Sequence, residues 1–79
     1  MTVSSKIKSL LKMQNAEHSA LAEHLGISKQ AFSNKLYRGS FSAQDLIIIA
    51  DFLKCDLSFI VGESKITLDI NDIEGNANG

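Results

Sequence analysis

The sequence has very few of the residues that cross-link a chain or anchor it in a membrane. Its 79 residues include no proline, no tryptophan and one cysteine. A single cysteine cannot form an internal disulfide, and a free thiol is typical of a reducing compartment. No apolar run approaches the roughly 20 residues that cross a bilayer, and residues 1–6 contain no signal-peptide apolar region. The sequence therefore predicts a cytoplasmic chain without a membrane span.

Length and the placement of reactive residues narrow the possible functions. A chain of 79 residues holds one small domain, whose core is marginal unless its helices pack compactly or a partner chain adds burial. His18 and His24 lack the close spacing of a zinc site, and Cys55 lies far from both in sequence. No G-x-S-x-G or comparable nucleophile motif is present. We therefore expect no enzyme, no metal and no other cofactor, and we interpret Cys55 as a small core residue.

Charge is nearly balanced overall but unevenly distributed. The formal net charge is −1. Residues 1–40 contain six basic and two acidic side chains, whereas residues 41–79 contain two and seven. Such a dipolar chain can present a basic face to phosphates and turn its acidic face away. The distribution is compatible with a nucleic-acid partner and predicts modest nonspecific affinity.

Residues 21–35 have the pattern of two short helices joined by a glycine turn. Leu21 and Leu25 are four residues apart and share one helix face. Gly26 follows where the chain must leave that helix, a position that favours a residue without Cβ. Ser28 can then cap the next helix by accepting a hydrogen bond from a first-turn amide. This pattern is a helix-turn-helix, which indicates DNA binding.

The second of these helices separates apolar from polar side chains. Phe32 and Leu36, four residues apart, return an apolar stripe to the core. The outward positions carry Lys29, Gln30, Ser33, Asn34 and Tyr37. Gln and Asn match the hydrogen-bonding edge of adenine in the major groove, and Lys matches guanine. Because these side chains follow a helix-turn, we interpret them as a DNA-reading surface rather than an ordinary solvated face.

Two sequence blocks resemble the Cro/XRE family of phage-repressor-like helix-turn-helix regulators. The first follows the motif L-A-x-x-L-G-I-S-x-x-x-F-S at residues 21–33. The second follows A-x-x-L-x-V-x-L-x-x-L and is matched by Ala50, Leu53, Cys55, Leu57 and Ile60. The resemblance covers residues 7–62. It implies an all-α, compact five-helix lambda-repressor-like domain over residues 1–62, acting as a small repressor-like transcriptional regulator.

The resemblance also implies roles for individual residues. Base contacts are expected from Lys29, Gln30 and Asn34, with Ser33 beside them. Contacts with the phosphate backbone are expected near His18, Ser28, Lys35, Tyr37 and Arg38. The chain departs from the family pattern at His18, where the family carries glutamine, and at Phe41, where proline is common. Glu17 replaces the usual capping Ser or Thr, so Asn15 is an alternative start for this helix.

Apolar spacing and capping residues predict the helix bounds. The first three helices are expected at about residues 3–13, 17–25 and 29–37. A capping box of Ser42 and Asp45 opens a fourth helix, and Asp56 caps a short fifth one that ends at Val61.

Beyond Gly62 the residues are expected to form an extended arm, residues 63–79. Residues 65–70 alternate polar and apolar side chains, which predicts a half-buried strand. A single strand must pair with another chain, pack on its own domain or stay loose. Residues 74–79 are polar and glycine-rich, and we expect them to be disordered.

One recognition helix contacts only a few base pairs. Specific binding therefore favours a homodimer on a pseudo-palindromic double-stranded DNA operator, with half-sites about 34 Å apart. Ile48, Phe59 and residues 65–70 are the candidate dimer surface, since the first two occupy positions that are usually polar in this family. The same apolar residues leave open a second function, a protein-interaction module such as the antitoxin of a toxin–antitoxin pair.

Overall fold

Four helices and a two-stranded hairpin make up the computed structural model, which describes residues 2–73. The helices are α1 (Val3–Met13), α2 (His18–Leu25), α3 (Lys29–Arg38) and α4 (Ala43–Leu53). Strands β1 (Leu57–Val61) and β2 (Ser64–Leu68) follow, and a 3-10 turn spans Ile70–Asp72. The tail predicted to be disordered, residues 74–79, lies outside the described residues. No helix within residues 2–73 has both the length and the apolar character that crossing a membrane requires.

Local capping explains where the helices begin and end. The Ser28 hydroxyl accepts a backbone hydrogen bond in the first turn of α3, and Ser42 and Asp45 form a reciprocal capping box at α4. Gly26 and Gly39 adopt left-handed φ angles of 77° and 68° where α2 and α3 end. The predicted bounds of the first three helices are confirmed to within one residue, and the fourth helix begins at its predicted capping box.

The start of α2 differs from the other helix starts. Its N-cap residue, Glu17, makes no side-chain capping hydrogen bond. Asn15 does not cap the helix either, because with φ of 54° it lies in the turn after α1, and the alternative of an earlier helix start is wrong. The first-turn amides of α2 therefore have no side-chain acceptor at the N-cap.

The core lies where the four helices meet. Its largest fully buried side chains are Phe32, Leu11 and Leu21, with 0%, 1% and 0% of their surface exposed. Packed with them are Ile7, Ala22, Leu36, Ile49 and Leu53. Phe41, in the position where the family favours proline, packs against this core with its ring centroid 6.5 Å from that of Phe32. Phe32 thus anchors α3 at the centre of the domain.

The segment predicted as a fifth helix is a strand, so the expected all-α, five-helix fold is wrong here. β1 pairs antiparallel with β2, and Phe59 lies opposite Ile66. Residues 59–61 are aromatic or β-branched, which favours extended backbone. Gly62, with φ of 60°, begins a two-residue turn of the kind that joins hairpin strands. Asp56 caps no helix there; its carboxylate lies 3.2 Å from the Lys65 ammonium of β2.

A strand is present where residues 65–70 predicted one, but β2 spans Ser64–Leu68, and residue 70 already belongs to the 3-10 turn. The predicted half-buried character is wrong, because every residue of β2 except Leu68 is exposed. β2 pairs with β1 of its own chain, because β1 is extended and supplies the ladder that an isolated strand lacks. One face of the hairpin is apolar and begins at the half-buried Leu57 and Leu68. The same face continues outward to side chains that are more than 60% exposed, namely Phe59, Val61 and Ile66.

Candidate nucleic-acid interface

The outward face of α3 brings together the four side chains predicted to contact bases. Lys29, Gln30, Ser33 and Asn34 are all exposed. The Gln30 Nε2 donates to Asn34 Oδ1 across 3.4 Å, so two amides one helical turn apart lie side by side. Each amide keeps further donors and acceptors for an external partner. This arrangement can offer paired hydrogen bonds to the edge of a base pair.

A buried hydrogen bond ties α3 to α1. The Ser4 hydroxyl donates to the Leu36 carbonyl oxygen across 2.6 Å. This bond satisfies a carbonyl in the last turn of α3, where backbone acceptors lack helical partners. Sequence reasoning missed it, although Ser4 occupies the same helical stripe as the buried Ile7 and Leu11. A polar residue within an apolar helical stripe is the sequence signal that could have indicated this buried hydrogen bond.

A second polar contact joins α3 to α4. The Lys35 Nζ lies 3.0 Å from Asp45 Oδ2, which also accepts a hydrogen bond from the Ser42 backbone amide. Burial raises the pKa of Asp45, but the hydrogen bonds from Ser42 and Lys35 together with the Lys35 charge outweigh it, so the pKa lies below its ordinary value. Lys35, predicted to contact phosphate, therefore also has a partner within the domain.

A cleft opens between α1, α2 and α3, beside the outward face of α3. Its lining residues are Lys8, His18, Ser33, Leu36 and Tyr37. The His18 ring stands edge-on to Phe32, with centroids 5.8 Å apart and planes at 87°, and this contact fixes the imidazole at the first position of α2. Tyr37 is 92% exposed at the other side of the cleft. Three residues with predicted DNA contacts thus share one cleft.

The remaining predicted phosphate contacts lie at the two ends of α3. Ser28 is exposed at the start of the helix, where its hydroxyl already serves as the cap. Arg38 is exposed in the last turn. Lys8, which the sequence does not single out, also lines the cleft, because the cleft depends on how α1 packs against α3.

The other histidine takes part in different contacts. His24 lies 3.6 Å from Asp51 and packs its ring against Phe52, so it contacts α4, whereas His18 contacts α3. In the part of the chain that the structure describes, no group of three or more His, Cys, Asp or Glu side chains is arranged to hold a metal ion.

Comparison with known proteins gives one family. The model of the bacteriophage CI repressor helix-turn-helix domain matches residues 3–65. This range begins with α1 and ends in β2, so it includes the helix-turn-helix and the outward face of α3. No curated protein and no solved structure gives a significant match.

Proposed function

Since the chain belongs to the bacteriophage CI repressor helix-turn-helix domain family, we propose that it represses transcription by binding a specific double-stranded DNA operator. The observation that best supports this proposal is the exposed polar face of α3, because α3 lies within the domain that defines this family. α3 enters the major groove, where Lys29 and Gln30 read bases near its start and Asn34 reads one turn later.

Contacts with the phosphate backbone position α3 in the groove. The first-turn amides of α2 have no N-cap side-chain acceptor, and a helix start favours an anion. Around them we place the predicted phosphate contacts His18, Ser28, Lys35, Tyr37 and Arg38. These contacts set the register of the domain on the duplex but carry no sequence information themselves.

The family assignment favours a regulator over a protein-interaction module such as an antitoxin, because the matching model describes a repressor domain. We place the protein in the cytoplasm with the DNA that it binds, and we assign it no catalytic role.

Selection from a random duplex library at near-physiological salt tests the function. We expect enrichment of an inverted repeat with half-sites about one helical turn, or 34 Å, apart. The matched control is a variant with Lys29, Gln30 and Asn34 all changed to alanine, which preserves helix propensity and leaves the core intact. Weak, salt-sensitive binding without an enriched sequence would contradict specific recognition.

We also propose that a second copy of this chain covers the apolar face of the hairpin. Phe59, Val61 and Ile66 are 63%, 71% and 63% exposed, and their face is continuous with the half-buried Leu57 and Leu68. A continuous apolar face is typical of an interaction surface, and outer strand edges offer unpaired backbone groups. A copy of the same hairpin supplies a self-complementary partner and the second recognition helix that an inverted repeat requires.

Phe59→Lys is expected to raise the dimer dissociation constant at least about tenfold, because a lysine in the apolar contact costs more than about 1.4 kcal/mol. Sedimentation equilibrium measures the shift towards the 8.6 kDa monomer. Ile60→Lys is the matched control, since Ile60 is 72% exposed on the opposite face of β1. Equal effects of the two substitutions would rule out this face, as would a wild-type chain that binds an inverted repeat while remaining monomeric.

A further inference from the structure

We propose that the cleft lined by Lys8, His18, Ser33, Leu36 and Tyr37 binds one phosphate of the DNA backbone, and that Lys8 supplies its positive charge. This inference rests on the proposed function: it joins the phosphate contacts proposed for His18 and Tyr37 into one site and adds a positioning residue, Lys8, to it. It adds Lys8 of α1 to a surface that sequence reasoning confined to α2 and α3.

The chemistry of the cleft fits a phosphodiester. Lys8 contributes an ammonium, His18 an imidazole, and Ser33 and Tyr37 hydroxyl groups, all of which can donate hydrogen bonds. The two free phosphate oxygens are acceptors and carry a negative charge. Within the described residues, no acidic side chain lines this cleft, so no carboxylate there competes for the Lys8 ammonium.

The walls of the cleft are held in place by buried contacts. The short Ser4 to Leu36 hydrogen bond fixes α1 against α3, and Lys8 lies one turn after Ser4 on the same helix. Leu36 is only 8% exposed at the base of the cleft, and the His18 ring rests on the fully buried Phe32. These contacts fix the backbone from which Lys8 and Ser33 project, and they hold the His18 ring before a ligand arrives, which lowers the cost of binding.

The position of Ser33 in the cleft indicates a contact with phosphate instead of a contact with bases. Sequence reasoning placed Ser33 beside the base contacts, but it lines the cleft together with Tyr37 of the same helix. A phosphate in this position lies alongside the face of α3 that carries Gln30 and Asn34. The contact therefore sets how α3 sits in the groove while those amides read the bases.

Lys8→Met tests the site by its salt dependence. Binding to a random-sequence duplex is measured by fluorescence anisotropy at several salt concentrations. Loss of one phosphate contact is expected to reduce the slope of log Kobs against log salt by about 0.9. Lys6→Met is the matched control, because Lys6 is an exposed lysine of the same helix that does not line the cleft, and its slope is expected to stay near the wild-type value. Thermal unfolding of both variants checks that α1 is intact.

The possible results separate the two proposals. Equal slopes for Lys8→Met and Lys6→Met, with a wild-type protein that binds duplex, would overturn the phosphate site and leave the proposed function standing. Failure of the wild-type protein to bind any duplex at low salt would overturn both. A methylphosphonate scan of the selected operator adds a direct test. Neutralising the phosphate in the cleft is expected to weaken the wild-type protein more than it weakens Lys8→Met, and the absence of any position with such a difference would contradict the proposal.

Discussion

Phe32→Ala is expected to lower the free energy of unfolding by about 3–5 kcal/mol, because it removes a fully buried ring and leaves a cavity. The ring is 0% exposed and packs in the cluster that contains Leu11 and Leu21. It also makes edge contacts with His18 and Phe41. Small domains are stable by only about 5–15 kcal/mol, so the variant loses a large part of its stability. Urea unfolding followed by circular dichroism measures the change.

Tyr37→Ala is the matched control for this loss. Tyr37 is the other aromatic residue of α3 but is 92% exposed, so its removal is expected to change the free energy of unfolding by less than about 0.5 kcal/mol. If the proposed phosphate contacts are correct, Tyr37→Ala weakens DNA binding while remaining folded. Similar destabilisation by both substitutions would contradict the central position of Phe32 in the core.

The four helices could be predicted from the sequence because their signals are local. Ser28 and the Ser42–Asp45 box act within one turn of the helix they begin, and Gly39 ends α3 through its own backbone conformation. None of these signals requires knowledge of the tertiary fold. The exposed face of α3 follows in the same way, because burial of Phe32 and Leu36 determines which positions remain outside.

The hairpin could be predicted only in part. The spacing of Leu53, Leu57 and Ile60 favours a helix, whereas the consecutive apolar residues 59–61 also fit a short strand, and such a short run cannot be assigned by its period alone. The extended conformation of residues 57–61 depends on pairing with residues 64–68 across the turn, which is a contact between two elements and not a signal within one. The polar and apolar alternation of β2 is visible in the sequence, but its partner strand is not, because the spacing of residues 57–61 favours a helix.

The contacts that position α3 could not be predicted for the same reason. Asp45 was expected as a helix cap, yet its second partner, Lys35, lies ten residues earlier on another helix. Lys8 has no distinguishing motif in the sequence, and only the packing of α1 brings it to the cleft beside Ser33 and Tyr37. Sequence periodicity identifies exposed positions, whereas the packing of helices decides which of them share a site.

Gln30→Ala is expected to weaken binding to the selected operator by about 1–3 kcal/mol, or about 5- to 150-fold, and to relax specificity at one base pair. The reason is the loss of an amide that can make paired hydrogen bonds to a base edge. Equilibrium binding to the operator and to its three variants at each base pair measures the effect. Because Gln30 is exposed and its structural contact is a 3.4 Å hydrogen bond to Asn34, the fold is expected to persist.

Arg38→Ala provides the contrasting result, since loss of a phosphate contact weakens all duplexes alike and reduces the salt slope by about 1. It is a cleaner comparison than Lys35→Ala, which also breaks the contact with Asp45. Equal losses on operator and random DNA for Gln30→Ala would contradict its base-reading role.

If Gln30 and Asn34 read one base pair jointly through their paired amides, the double alanine variant loses less binding free energy than the sum of the two single losses. Additive losses instead assign the two amides to separate base pairs.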